Sequence, residues 1–231
     1  MQITIEDIAD AFPRYRVAVV VAEGLAIAPE RPAALDEQIA QSEAATRAAF
    51  AGQELAQIPG VAAWRAAYKA FGIKQTRYRS SVERLVKNVL AGRPLARVNT
   101  FVDLYNMVSL RHVLPLGADD LDRVTAPLAF RYAREGDSFL DMAEEGEVEA
   151  PKPGEVVYAD AAHVLCRRWN WRQDGRTLIT PATSRAVVTL QQNGAGDAAA
   201  AAGDLIELIE KFCGGRTRVT VLDADRRRAE L

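Results

Sequence analysis

Cysteine and histidine are both scarce in this chain, two of each in 231 residues. Cys166 and Cys213 lie far apart without metal spacing, so both are expected as reduced thiols of a cytoplasmic protein. His112 and His163 belong to no H-E-x-x-H or Cys/His cluster, which leaves no zinc site to expect. A G-x-S-x-G elbow is missing, and neither cysteine has an evident partner base, so nucleophilic catalysis has no sequence support. No G-x-G-x-x-G or P-loop follows a strand; nucleotide-binding α/β folds drop out, and no cofactor is expected. A basic-then-apolar leader is absent, as is any apolar run near about 18 residues, so a membrane is not an expected partner. Lysine stands only at Lys69, Lys74, Lys87, Lys152 and Lys211, and the net charge is −2. That balance argues against a general nucleic-acid coat, and DNA is not expected as a partner. A local basic face stays open.

What is present is an ordinary globular composition, 49% hydrophobic and 26% charged, long enough to bury a core without a disulfide staple. Residues 4–12 read as a short helix ended by Pro13. "RYRVAVVVAEGLAI", 14–27, is rich in β-branched residues and predicts a buried strand. Residues 30–58, alanine-, glutamate- and glutamine-rich with Pro32 near the start, predict a long helix that Pro59-Gly60 breaks. "VAAWRAAYKAFG" places Trp64, Tyr68 and Phe71 at helical spacing, as core, with Gly72 as a stop. "SSVERLVKNVLAG", 80–92, carries Val82, Leu85, Val86, Val89 and Leu90 on one stripe behind a serine cap. "TFVDLYNMVSLRHVL", 100–114, is a further helix with a Thr100/Asp103 capping-box pattern, stopped by Pro115.

After residue 114 the character changes. "LAFRYA", "EVVYAD", "HVLCRRWNW", "RTLIT" and "RAVVTLQQ" are short strand-like runs between Gly, Pro and Asp. An Ala/Gly/Asp tract, 194–204, leads into the helix "DLIELIEKFCGG"; "TRVTVLDA" is a last strand and "DRRRAEL" a frayed tail. The expected class is α+β, a helix-rich N-terminal half packed on a mixed, largely antiparallel sheet. One domain, 1–231, is expected with its core at about 60–213; residues 1–59 stand as part of that fold or as an appendage.

Two stretches carry candidate chemistry. Asp103 and Asn106 share a helical face, and Asn99 sits at that helix's N-terminal mouth, where free N–H groups favour a carboxylate or phosphate. Capping at Thr100 and Asp103 with Asn106 on the surface is the structural alternative. The second stretch is "CRRWNWRQDGRT", 166–177. As a strand it turns Arg167, Trp169 and Trp171 to one side and Arg168, Asn170 and Arg172 to the other, with Asp174-Gly175 as a hairpin turn. The tryptophans suit stacking or a core edge; the other row offers donors for a carboxylate or phosphate.

Together these stretches resemble a known family. The run Val102-Asp103-Leu104-Tyr105-Asn106 followed by Leu114-Pro115-Leu116-Gly117-Ala118-Asp119-Asp120 is similar, in order and spacing, to the V-D-x-T-N … Q-P-L-H-x-F-D run of the B3/B4 domain of the phenylalanyl-tRNA synthetase β subunit. "VYAD", 157–160, resembles the strand before that domain's glycine-rich editing loop, and free-standing B3/B4 proteins share "RYRSSVE", "VDLYN", "PKPGEVVYAD" and "CRRWNWR". The resemblance spans roughly 60–213. It implies an α+β domain with a pocket that, in the synthetase, hydrolyses tRNA mischarged with tyrosine. Gly117 stands where that pocket has histidine, and bulky basic residues from Trp169 to Gln173 stand near its two glycines. The pocket's later glutamate falls near Thr189. The editing residues therefore do not carry over one by one, whereas Asn99, Asp103 and Asn106 fall on matching positions.

The substrate-binding set expected from both lines is Asn99, Asp103, Asn106, Arg168, Trp169, Asn170, Trp171 and Arg172, with no catalytic residue named. The expected function is RNA binding of the B3/B4 type, recognising tRNA or aminoacyl-tRNA through its amino-acid moiety and hydrolysing mischarged tRNA in trans. The alternative is a non-catalytic pocket for a free amino acid or other small carboxylate, which the pI near 5.8 favours over a broad RNA footprint.

Overall fold

The computed structural model describes residues 1–75, 77–142 and 148–231. Its helices are α1 (Glu6–Ala9), α2 (Ala33–Ala49), α3 (Pro59–Ala70), α4 (Ser81–Leu90), α5 (Thr100–His112) and α6 (Ala198–Phe212). The strands are β1 (Gln2–Thr4), β2 (Tyr15–Glu23), β3 (Leu116–Asp120), β4 (Leu128–Tyr132), β5 (Phe139–Leu140), β6 (Val148–Glu149), β7 (Val156–Ala159), β8 (Val164–Arg167), β9 (Arg172–Gln173), β10 (Arg185–Asn193), β11 (Arg216–Leu222) and β12 (Arg228–Glu230).

They form two principal sheets. One has the order β11-β2-β10-β3 and is antiparallel throughout; the other has the order β12-β1-β4-β7-β8-β9, with β1 and β4 its parallel pair. β5 and β6 add a short ribbon. The α+β reading stands, with the expected sheet divided in two. β2 reads as an unbroken apolar run because it lies between β10 and β11 and is covered, so Val17 to Ala22 are all buried. The first 59 residues thus supply an inner strand. α6 packs on β2, β10 and β11, and α5 packs on α2, α4 and α6.

Several local expectations shift, each for a tertiary reason. Residues 2–4 are a strand because β12 and β4 pair with them, and the tail expected to fray is β12 itself. α2 stops at Ala49, and α6 begins within the alanine tract at its Asp197 cap, whose carboxylate accepts from the Ala199 and Ala200 N–H groups. Residues 176–180, expected as a strand, are loop. At α5 the cap is Asn99 and not Thr100. The Asn99 side chain accepts from Val102 N–H at 2.9 Å, while the Thr100 hydroxyl donates to Glu30 O. β3 was not foreseen: Gly-Ala-Asp-Asp has little β preference, and the pairing with β10 overrides it.

The largest departure is in 163–171. The strand ends at Arg167, because Arg168 and Trp169 have φ of 45° and 68°. Two successive left-handed residues are costly for bulky side chains. Packing holds them: Trp169 is fully buried, its ring 4.6 Å from Phe12, 4.9 Å from Tyr15 and 5.2 Å from Trp64. Residues 168–171 are thereby the turn joining β8 to β9, a role expected of Asp174-Gly175. The alternating faces expected for this stretch do not form. Trp169 and Trp171 part company, the first into the core and the second toward the cavity described next.

Candidate functional site

β3 and β10 pair so that Gly117 lies opposite Thr189. Gly117 and Asp119 on β3, and Thr189 and Gln191 on β10, consequently share one sheet face. That face is one wall of a cavity of about 290 Å³, near the small end of the roughly 300–1,000 Å³ usual for ligand pockets. Tyr105 and Asn106 of α5 and Tyr158 of β7 add further walls. The β8–β9 turn contributes Asn170, Trp171, Arg172 and Gln173, and the first turn of α4 contributes Ser81 and Arg84. A Cβ built on Gly117 would meet nothing within 4 Å, so glycine here leaves open space.

The polar wall is a linked set of amides and hydroxyls. Tyr68 OH donates to Asn170 Oδ1 at 2.9 Å, Asn170 Nδ2 donates to Gln191 Oε1 at 3.1 Å, and Gln191 Nε2 donates to Thr189 Oγ1 at 3.3 Å. Gln173 Nε2 donates to Asp119 Oδ1 at 3.0 Å and also to Ala118 O, and Thr177 Oγ1 donates to the same Asp119 oxygen at 2.6 Å. Burial pushes the Asp119 carboxyl up to about 7 against these two hydrogen bonds, and the charges of Asp174 and Asp160 push the same way. The Cys166 thiol on the cavity wall is held protonated by burial, with the Asp119 charge adding to it. Ser81 Oγ and Tyr158 OH are buried without a hydrogen-bond partner among the described residues.

Arg84, Trp171 and Arg172 also line an adjoining cleft with Arg77, Tyr78, Arg168, Asp141 and Glu149. The Arg168 guanidinium lies 3.7 Å from the Tyr78 ring centre and 4.4 Å from that of Trp171, and its Nε and Nη1 have no hydrogen-bond acceptor. Arg168 Nε lies 3.9 Å from Glu155 Oε2, and most other cations of the stretch are likewise matched by acids. Arg167 is held by Glu155 through two bonds of 3.1 Å and by Glu149, and Arg172 by Asp141. Glu155 also accepts the Arg168 backbone N–H at 2.9 Å. Arg84 is exposed and has no acidic partner among the described residues.

Of the residues singled out in the sequence, Asn106, Asn170, Trp171 and Arg172 come together on the cavity, and Arg168 lies in the cleft beside it. Trp169 is core. Asn99 and Asp103 stay at the mouth of α5: Asn99 Nδ2 donates to Ile179 O, and Asp103 Oδ1 accepts from Val98 N–H with Arg31 3.8 Å from Oδ2. Sequence reasoning missed Asp119, Gln173, Gln191, Tyr158, Ser81 and Arg84. A signal existed for two of them. Ser81 and Arg84 fall off the apolar stripe of α4, on its polar side at the capped end.

The B3/4 domain family matches residues 63–194, a span containing every residue that lines the cavity. No curated protein matches the chain. Among solved structures, one that it resembles is an N-terminal fragment of the phenylalanyl-tRNA synthetase beta-subunit from Pyrococcus horikoshii, with 13% identity and a TM-score of 0.47. The alignment takes in 94% of this chain and 50% of that one, so the chain spans half the length of the fragment.

Proposed function

The chain belongs to the B3/4 domain family, and from that premise we propose that its cavity receives the aminoacyl end of a transfer RNA and frees a wrongly attached amino acid by hydrolysis. One observation carries the reading. The cavity adjoins a cleft lined by arginines and aromatics together with Asp141 and Glu149, and Arg84, Trp171 and Arg172 are common to both. Such a pair of compartments fits a ligand with a compact acyl end and an anionic, base-bearing extension. The phosphates would meet Arg84 and Arg172, and a terminal base has Trp171 and Tyr78 to stack on. With a net charge of −2 the contact is local, confined to the 3′ end. Hydrolysis asks little of the protein, because an aminoacyl ester is already activated; a shaped pocket and a placed water suffice. The set proposed to bind is Asn106, Asn170, Trp171, Arg172 and Arg168, joined by Arg84.

A second reading, a pocket for a free amino acid or other small carboxylate, draws on the acids that occupy Arg167 and Arg172. A panel of tRNAs charged with tyrosine, isoleucine and other non-cognate residues separates the two. Loss of label from at least one member, and a gel shift that weakens with salt, are expected under the first reading. Arg84→Ala should then lower tRNA affinity and reduce the salt slope by about one counterion, leaving the fold intact. No deacylation across the panel together with no tRNA shift sinks the first reading and leaves the second.

A further inference from the structure

Asp119 is a buried carboxyl whose hydrogen-bonding shell is half built. It is 3% exposed and stands on the cavity wall. Both donors that reach it, Thr177 Oγ1 and Gln173 Nε2, fall on Oδ1. Oδ2 receives no hydrogen bond from the described residues, and it is not one of the sealed, partnerless atoms of the interior. It therefore opens on the cavity. No arginine, lysine or histidine lies within ion-pair distance of Asp119 among the described residues. Its two acidic neighbours are otherwise committed: Asp174 pairs with Arg176, and Asp160 accepts from the backbone N–H groups of Thr125, Ala162 and His163. Tyr158 lines the same cavity, but its hydroxyl is one of those sealed atoms.

A carboxylate left uncompensated in a dry site is expensive, and its companions here are negative rather than positive. What completes such a site is a cation that donates hydrogen bonds. A neutral hydroxyl would satisfy Oδ2 but not the charge. The mouth of the same cavity has the opposite character, with Arg84 and Arg172. The lining thus carries charge of both signs, and Leu116 and Leu165 add apolar surface to it.

We propose that Asp119 is the specificity-determining residue of this cavity, its Oδ2 accepting a hydrogen bond from the protonated α-amino group of an amino acid ester. The carboxyl-derived end then points to the arginines at the mouth and the side chain lies on Leu116 and Leu165. The inference rests on the aminoacyl reading above and adds the requirement for a free, charged amine. A blocked amine loses both the charge and the room to approach Oδ2.

The test is calorimetric titration of the full chain with L-amino acid methyl esters and their N-acetyl counterparts, in the alanine, valine, leucine and phenylalanine series. At least one free-amine ester should bind about tenfold or more tightly than its acetylated partner, the scale of one charge-assisted hydrogen bond. Asp119→Asn keeps an oxygen for Thr177 and Gln173 and should abolish the preference. Equal affinity for free and acetylated esters on the wild type overturns the proposal without recourse to a variant. So does a preference that survives Asp119→Asn in a folded protein, and so does absence of binding by every ester. Ester binding with the expected preference alongside a silent tRNA panel rejects the tRNA reading and leaves the role of Asp119 standing.

Discussion

The mouth of α5 and the wall of the cavity both present buried polar side chains, and they differ in where their unpaired atoms face. At the mouth of α5, Asn99 caps Val102 with one side-chain atom and reaches Ile179 with the other. Asp103 Oδ1 takes the Val98 N–H, whereas its Oδ2 is sealed in the interior without a hydrogen bond, with Arg31 3.8 Å away. On the cavity, Asp119 Oδ2 and the exposed Arg84 guanidinium have no partner among the described residues and are not sealed. Burial raises the carboxyl of Asp103 as it does that of Asp119, so a perturbed acid does not by itself distinguish the two regions. Access does. An unpaired polar atom sealed in the interior can meet no ligand; one left half satisfied against open space is a contact awaiting a ligand.

Three substitutions sharpen or break that contrast. The largest effect belongs to the interior. Glu155→Ala strips Arg167 of two hydrogen bonds and leaves the Arg168 N–H without its acceptor. Stability should fall by about 3–5 kcal/mol in urea titrations; a loss below about 1 kcal/mol would mean that Glu149 alone holds this cluster.

Asp119→Asn should act in the opposite direction. The folded carboxyl is raised to about 7, against about 3.9 in the unfolded chain, so the folded state holds this proton more tightly. Its ionisation therefore costs nothing below about pH 4, costs progressively more as pH rises to 7, and reaches its full cost above that. The asparagine variant should be stabilised by on the order of 4 kcal/mol at pH 8, with the gain gone near pH 4. Thermal melts of variant and wild type across that range measure the difference. A gain independent of pH would show that packing and not charge is relieved. If the gain appears, the site trades stability for ligand recognition.

The smallest effect is Asn99→Ala. Removal of one cap should cost about 1 kcal/mol, read as a lowered urea midpoint, with ester and tRNA binding unchanged. A change in either affinity at equal stability would return the mouth of α5 to the functional site.

The contrast also explains which parts were legible in the chain. "VDLYN" and "CRRWNWR" pointed to the right neighbourhood, and four of their residues, Asn106, Asn170, Trp171 and Arg172, meet on the cavity. Within "RRWNWR" the assumption of a continuous strand gave the wrong partition, because alternation holds only while φ stays extended. Trp169 could not be told from Trp171 until Phe12, Tyr15 and Trp64 were seen to surround it. Asp119 lay in full view within "PLGADD" and gave no sign, since its partners stand 54 and 58 residues downstream.

Apolar periodicity and end signals by themselves determined the helices from Pro59 to His112, the buried strand β2 and the α+β class, because those patterns are local and recur within a few residues. Tertiary structure alone decided that β3 would pair beside β10, that Arg168 and Trp169 would turn left-handed, and which polar atoms would be left unpaired. Hydrogen-bond satisfaction is settled between segments distant in sequence, so the site, unlike the fold class, exists only once the chain has closed on itself.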